Sequence, residues 1–254
     1  MSRPAPVAQQ IRAQAGMELR LLLRNGESLL VSFGIPLGVL VFLARVVRPD
    51  FGDGGDPLDT LVPAVLALSV MSTAFVAQAI QTGFQRKYAV LKRLGATPLS
   101  RTSFIGAKSL AVLVIVAIQT VAVIGVAYAL GWTWPEGASA ARLVAGLVGG
   151  TAMFTALGLL LAGVLKAELT LALANAIYLI LAAVGGLVLA PDAAATGAAR
   201  VAVATPSGAL ALLMGEALPR PGDDVGLALL AGVVVLAWLA AGVAFAARWF
   251  RWEP

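Results

Sequence analysis

Six long apolar runs, separated by short polar breaks, limit how this chain can fold more than any other feature. Each run has about the 20 residues that an α-helix needs to cross ~30 Å of hydrocarbon. We therefore expect an all-α integral membrane protein that forms one transmembrane domain over residues 1–254. The six predicted membrane-spanning helices cover residues 29–47, 61–80, 105–130, 143–165, 169–190 and 225–247.

The composition supports the membrane class and excludes several kinds of chemistry. Hydrophobic residues make up 60% of the chain and charged residues 12%, with a mean hydropathy of +0.92, whereas soluble domains carry about 25% charged residues. The chain contains no cysteine and no histidine, which excludes thiolate metal sites, Ser-His dyads and histidine proton relays. We therefore expect no catalytic residue, no metal site and no cofactor in this chain.

The basic residues lie mostly on one side of the predicted bundle. With six spans, 13 of the 18 Lys and Arg residues fall on the side of both termini and five on the other. Cytoplasmic loops carry the excess of Lys and Arg in membrane proteins. This pattern predicts a multi-pass protein of the bacterial plasma (inner) membrane with both termini cytoplasmic. Since the membrane explains the positive charge, we expect no nucleic-acid partner.

Residues 7–27 have the pattern of an amphipathic helix that precedes the first span. Ile11, Ala15, Leu19 and Leu22 fall on one helical face, while Arg12, Arg20 and Arg24 can face headgroups or cytosol. We expect an interfacial helix on the inner membrane surface; the alternative is a solvated basic tail.

A second short helix is predicted before the last span, in the outer segment 198–218. Thr205 fits an N-cap and Pro206 the first helical turn. The apolar run that follows is too short to span, so this helix lies in the outer interface or re-enters the membrane. The alternative is a loop helix that packs on the bundle.

The loop between the second and third spans combines an apolar stripe with a basic flank. Phe84, Tyr88, Leu91 and Leu94 recur at helical spacing, and Gly95 and Pro98 are stop signals. This predicts a cytoplasmic helix over 84–96, whose basic flank comprises Arg86, Lys87, Lys92 and Arg93. The stripe favours a docking element for another protein; the alternative is charge that only sets topology and contacts lipid headgroups.

Three segments resemble the ABC-2-type permeases, which export drugs, lipids and polysaccharides. The string Val-Leu-Lys-Arg-Leu-Gly-Ala-Thr-Pro-Leu-Ser-Arg at residues 90–101 resembles their coupling-helix motif. Residues 18–25, running on to Pro36, resemble the family's amphipathic first helix and first span, and residues 205–210 its proline-led outer helix. The chain departs from the family at Ala89, where members often carry glycine, and at Gln85 or Lys87, where they often carry an acid.

The resemblance implies a permease that exports a hydrophobic or amphiphilic substrate with energy from separate ATPase chains. Two cytoplasmic ATPase subunits, which hold ATP and Mg²⁺, and a second identical or related permease are the implied partners. The chain itself has no phosphate loop, because the string Gly106-Ala107-Lys108-Ser109 lacks the glycine before the lysine. The implied ATPase-coupling residues are Phe84, Arg86, Lys87, Tyr88, Leu91, Lys92, Arg93, Leu94 and Pro98.

Polar residues inside the spans are candidates for the translocation path, because such residues usually face protein or water. The alternative is hydrogen bonding between helices. In the first span, Pro36 between Gly34 and Gly38 predicts a kink, and the resemblance implies a dimer face there. The path candidates are Ser69, Ser72, Thr73, Gln78, Asn175 and Tyr178.

Two other functions stay open at this point. An ion-coupled secondary transporter would carry intramembrane carboxylates and inverted repeats, and neither is evident. A membrane scaffold that does not transport is the second alternative.

Overall fold

The computed structural model describes residues 6–47, 56–95, 97, 99–185, 202–218 and 225–249, and these are helical almost throughout. Helix α1 comes first, and two short helices, α5 and α9, lie between the membrane-spanning ones. The bounds are α1 Val7–Arg24, α2 Gly26–Phe42, α3 Pro57–Val70, α4 Gln78–Lys87, α5 Val90–Gly95, α6 Arg101–Leu130, α7 Ala140–Val164, α8 Ala167–Val184, α9 Pro206–Ala217 and α10 Val225–Trp249.

Five helices in the described part of the chain are long and apolar enough to cross a membrane. A shorter apolar helix, Ser32–Val47, corresponds to the first predicted span and ends in the π-helical turn Leu43–Val47. Pro36 lies inside α2 without ending it, and its neighbours Gly34 and Gly38 are exposed. The five long helices are Pro57–Lys87, Ser103–Leu130, Ala140–Val164, Ala167–Val184 and Leu229–Ala246.

The second span is longer than the apolar run at 61–80 predicts. It is one 31-residue helix in which α3 and α4 are joined by the π-helical segment Met71–Ala77. Asp56 caps its start by accepting a bond from the Leu58 amide at 2.9 Å, and Pro57 occupies the first turn. The helix is about 46 Å long, which exceeds the ~30 Å of hydrocarbon.

The π-helical segment packs closely against the middle of α7. Phe75 and Phe154 meet edge to face, with their ring centroids 6.2 Å apart. A Cβ atom at Gly158 would stand 2.8 Å from the carbonyl oxygen of Phe75. Gly158 thus allows an approach between two backbones that any side chain would prevent.

The two ends of the bundle differ in their chemistry. At the end where α4 finishes and α6 begins lie Arg86, Lys87, Lys92, Arg93 and Lys166, and we call this the basic end. At the opposite end the indole Nε1 of Trp132 donates to Asp59 Oδ1 at 2.9 Å. That bond ties the start of α3 to the residue that follows the C-cap of α6.

Helices α7 and α10 run side by side in the same direction. A Cβ atom at Gly149 would contact Val235 at 3.6 Å, and one at Gly242 would contact Ala156 at 3.1 Å. Both contacts pair positions with the same separation along the chain, so the helices keep one register over two turns. Both helices begin at the opposite end and finish at the basic end.

Helix α9 occupies part of the predicted outer segment, and it is buried against the other helices. Thr205 accepts a bond from the Gly208 amide at 3.1 Å, and Pro206 follows in the first turn, as the sequence predicts. Leu210 and Met214 fit over Gly150 and Gly146 of α7. Gly150 lies about 15 Å along α7 from its start, so α9 reaches well into the bundle. Residues 198–201 of the predicted segment lie outside the described residues.

Helix α1 packs along α6. This packing includes a feature that the amphipathic pattern does not predict. Ile11 lies beside Gly106, and Leu22 clusters with Ala111 and Ile115 further along α6. The predicted apolar face is correct, because Ala15 and Leu22 are buried and Ile11 and Leu19 are partly buried. However, the same face also buries the polar side chains Gln14 and Glu18.

Candidate functional site

The predicted single helix over 84–96 is wrong, because the chain breaks it at Tyr88 and Ala89. Helix α4 ends at Lys87 and α5 begins at Val90. Between them Ala89 adopts a left-handed conformation with φ of 57°, which glycine adopts without strain and other residues rarely do. Ala89, one of the positions at which the chain departs from the family it resembles, therefore carries this strain. Ala96 and Pro98 lie outside the described residues.

This break separates the four residues of the predicted apolar stripe. Leu91 is fully buried, with 0% of its surface exposed, whereas Tyr88 is 65% exposed. Phe84 and Leu94 are half-buried. The four side chains therefore do not form one exposed face, and Leu91 belongs to the interior of the protein.

An exposed surface nevertheless remains at the turn between α4 and α5. Tyr88 stacks on Phe84 with ring centroids 6.1 Å apart, and the ammonium of Lys87 lies 5.7 Å from the Phe84 ring. Lys92 and Arg93 of α5 are exposed beside it. We call Tyr88, Lys92 and Arg93 the turn surface.

Arg86 does not belong to the basic flank that the sequence predicts. Its side chain is 6% exposed, and its guanidinium donates hydrogen bonds to the carbonyl oxygens of Gly163 and Leu165. These residues lie at the end of α7 and in the connection to α8. Arg86 therefore holds the end of α4 to the end of α7.

Two further contacts fasten α4 to the start of α8. Lys87 forms an exposed ion pair with Glu168 in the first turn of α8. A Cβ atom at Gly83 would stand 3.5 Å from both Ala167 and Thr170, so the two helices are in close contact. The end of α4 is therefore attached to both the end of α7 and the start of α8.

A buried charge cluster lies on the other side of α4, and sequence reasoning missed it. Lys108 Nζ of α6 lies 3.1 Å from Glu18 Oε2 of α1, with both side chains almost fully buried. Gln14 Nε2 donates to Glu18 Oε1 at 3.1 Å, and Gln85 Nε2 of α4 lies 3.5 Å from Glu18 Oε2. The signal was Lys108 itself, because a lysine inside an apolar helix needs a buried partner.

Four of the six path candidates donate hydrogen bonds within their own helix. Ser69 and Ser72 donate to main-chain carbonyls of their own helix, at 2.8 and 3.1 Å. Gln78 is buried and donates to Thr82 at 3.2 Å. Asn175 is exposed on α8 and donates to Leu171, while Tyr178, one turn further, is half-buried.

Thr73 instead joins three helices through Gln119. The Thr73 hydroxyl donates to Gln119 Oε1 at 3.0 Å, and Gln119 Nε2 donates to the carbonyl of Ser32 at 2.9 Å. The network links the π-helical segment to α6 and α2. For Thr73 the alternative of hydrogen bonding between helices therefore describes the contact that is seen.

Comparison with known proteins adds the family to this geometry. The family model of the ABC-2 type transporter matches residues 9–201, which run from the third residue of α1 to beyond the end of α8. The chain belongs to the ABC-2 type transporter family. A search of curated proteins finds no match. As a member of this family, the chain is the membrane permease component of an ABC-type transporter, and α9 and α10 lie beyond the matched residues.

Proposed function

We propose that this permease exports a hydrophobic or amphiphilic substrate, driven by a separate cytoplasmic ATPase that docks at the basic end. The observation that carries the proposal is the arrangement at the end of α4. The turn surface is exposed for contact, while Arg86 and Lys87 hold the same helix end to the α7–α8 connection. An ATPase that moved the turn surface would therefore move three membrane helices.

The mechanism follows from the length and attachment of the second span. Closure of two ATP-loaded ATPase subunits would displace α5 and the end of α4. Since α3 and α4 form one helix from Pro57 to Lys87, the displacement would reach the opposite end of the bundle. Rearrangement of these rigid helices would switch the central path from inward-facing to outward-facing.

A second permease copy is part of the proposal, because the resemblance to ABC-2-type permeases implies a dimer face on the first span. A Cβ atom at Gly34 or Gly38 would meet no other described atom within 4 Å, so α2 has an open small-residue face that suits close helix packing. Helix α8 also exposes Leu179 and Ile180, and it carries the exposed path candidate Asn175. We propose that the second copy packs on α2 and that the path lies between copies along α8.

The ATPase contact is tested by reversing charge on the turn surface. The permease is expressed with each candidate ABC-type ATPase of its genome in turn, purified through a tag on the permease, and assayed for bound ATPase. Lys92→Glu with Arg93→Glu should reduce the bound ATPase by at least about tenfold. Arg142→Glu is the matched control, because Arg142 is exposed at the start of α7, at the opposite end.

Two results decide the matter. Loss of ATPase from the double variant, with Arg142→Glu unaffected, supports docking at the turn surface. Equal recovery of ATPase with all three proteins contradicts it. Leu91→Asp is not a suitable probe, because Leu91 is buried and the variant would test folding instead of docking.

A further inference from the structure

We propose that Glu18 and Lys108 form a positioning pair that fixes the register of α1 on α6, so that α1 moves as part of the coupling machinery. The two side chains are 2% and 0% exposed, and their charged atoms lie 3.1 Å apart. The inference rests on the proposed function for what the movement achieves. The register itself is a property of this chain alone.

Apolar contacts around the pair already hold α1 against α6. We therefore infer that the pair's main contribution is not to bind the two helices together. Ala15 and Leu22 of α1 are already buried, and Leu22 clusters with Ala111 and Ile115 of α6. Removing two charges from water is costly, and apolar residues in their place often give equal or greater stability. An ion pair discriminates between registers instead, because a slip of one turn would bury each charge without its partner.

The carboxylate of Glu18 is also shared with the end of α4. Gln85 Nε2 lies 3.5 Å from the same oxygen, Oε2, that Lys108 contacts. Gln85 directly precedes Arg86, which holds the end of α7. Glu18 Oε1 meanwhile accepts a bond from Gln14 of its own helix. One carboxylate therefore joins α1, α4 and α6 where the turn surface would receive its push.

The Phe104 ring supports the lysine in this position. Lys108 Nζ lies 5.2 Å from the ring centroid, within the range of a cation–π contact. Phe104 is itself fully buried one turn earlier on α6. The ammonium is therefore held from its own helix and aimed at α1.

The register can be measured directly, since the chain contains no cysteine. A Cβ atom at Gly106 would lie 3.6 Å from Ile11 Cδ1, so Ile11→Cys with Gly106→Cys reports whether α1 keeps its place. A short bifunctional thiol reagent is applied to membranes. The yield of cross-linked chain is compared among the native pair, Glu18→Gln with Lys108→Met, and the charge exchange Glu18→Lys with Lys108→Glu.

The second measurement is the factor by which the reconstituted permease stimulates the ATPase partner. The neutral pair should insert in normal amounts, yet lower both the cross-linking yield and the stimulation by at least about fivefold. The charge exchange should restore both to at least about half of the native values. Arg20→Gln, on the exposed side of α1, is the control and should change neither.

If the neutral pair keeps native cross-linking or native stimulation, the proposal is wrong. This holds even if proteins that carry only one of the two substitutions fail to accumulate. A purely structural pair would lower the amount of protein and leave the stimulation per molecule unchanged, which also counts against it. If the native permease neither binds nor stimulates an ATPase, the proposed function fails. The cross-linking yields would still decide whether the pair sets the register.

Discussion

Arg86, the penultimate residue of α4, donates a hydrogen bond to the main-chain carbonyl of Gly163 at the end of α7. The last carbonyls of a helix have no partner within that helix, and a buried carbonyl without a partner is costly. A second bond to the carbonyl of Leu165 extends the contact into the α7–α8 connection. A side chain of one helix thus completes the hydrogen bonding of another.

Removing the Arg86 guanidinium should destabilise the protein clearly. Arg86→Ala deletes two charge-assisted hydrogen bonds and leaves buried carbonyls, so we expect a loss of about 3 kcal/mol in the free energy of unfolding. The measurement is thermal unfolding in detergent, which should show a lower Tm.

Arg86→Lys separates charge from geometry in this experiment. A lysine keeps the positive charge, but it lacks the planar fork that reaches two acceptors at once. We expect a Tm between those of the native protein and Arg86→Ala. If both variants unfold at the native temperature, the contact does not stabilise the helix ends.

Replacing Ala89 with glycine should stabilise the protein. A left-handed conformation costs an L-residue about 1–2 kcal/mol, whereas glycine adopts it freely. Ala89→Gly should therefore raise the free energy of unfolding by about 0.5–1 kcal/mol after the extra entropy of the unfolded chain is subtracted. Ala89→Val should lower it, and an increase in Tm for valine would refute the assigned conformation.

The contact between α7 and the π-helical segment leaves no room for a side chain. Gly158→Ala would place a Cβ atom 2.8 Å from the Phe75 carbonyl, so the two backbones must separate. We expect a loss of about 1–3 kcal/mol, measured by thermal unfolding. The comparison is Gly125→Ala on α6, where a Cβ atom would meet nothing within 4 Å; an equal response at both positions would contradict the close approach.

The sidedness of the bundle can be checked with single cysteines in a chain that has none. Thr97 is exposed at the basic end, and Glu136 is exposed in the turn before α7. If the basic end is cytoplasmic, a membrane-impermeant maleimide should label Glu136→Cys in intact cells. Thr97→Cys should react only after the membrane is opened. The reverse pattern would place the basic end outside and exclude docking of a cytoplasmic ATPase there.

The long helices could be predicted from the sequence, because the hydrocarbon layer makes length and hydropathy decisive. The helix from Ser103 to Leu130 overlaps the predicted run at 105–130 almost completely. The end of the second span could not be predicted in this way. Its polar residues Gln78–Lys87 stay helical because α7 and α8 supply partners, as with Arg86 and Lys87.

Helical structure in the segment 84–94 was predicted, but its division into two helices was not. Helical spacing treats residues 84–94 as one helix, and it cannot detect a single left-handed residue such as Ala89. The sequence also offered no way to pair Glu18 with Lys108, since 90 positions separate them. Both features depend on tertiary packing, which periodicity within one segment does not record.

The exposed ion pair between Lys87 and Glu168 has a directional consequence. Lys87 occupies the last turn of α4, and Glu168 the first turn of α8. Peptide dipoles leave partial negative charge where a helix finishes and partial positive charge where one starts. Each side chain therefore carries the charge opposite to the nearby pole of its own helix, which is favourable. It also attracts the other side chain of the pair. Exchanging lysine and glutamate would preserve the attraction between them but set both against their helix poles, so the two arrangements are not equivalent.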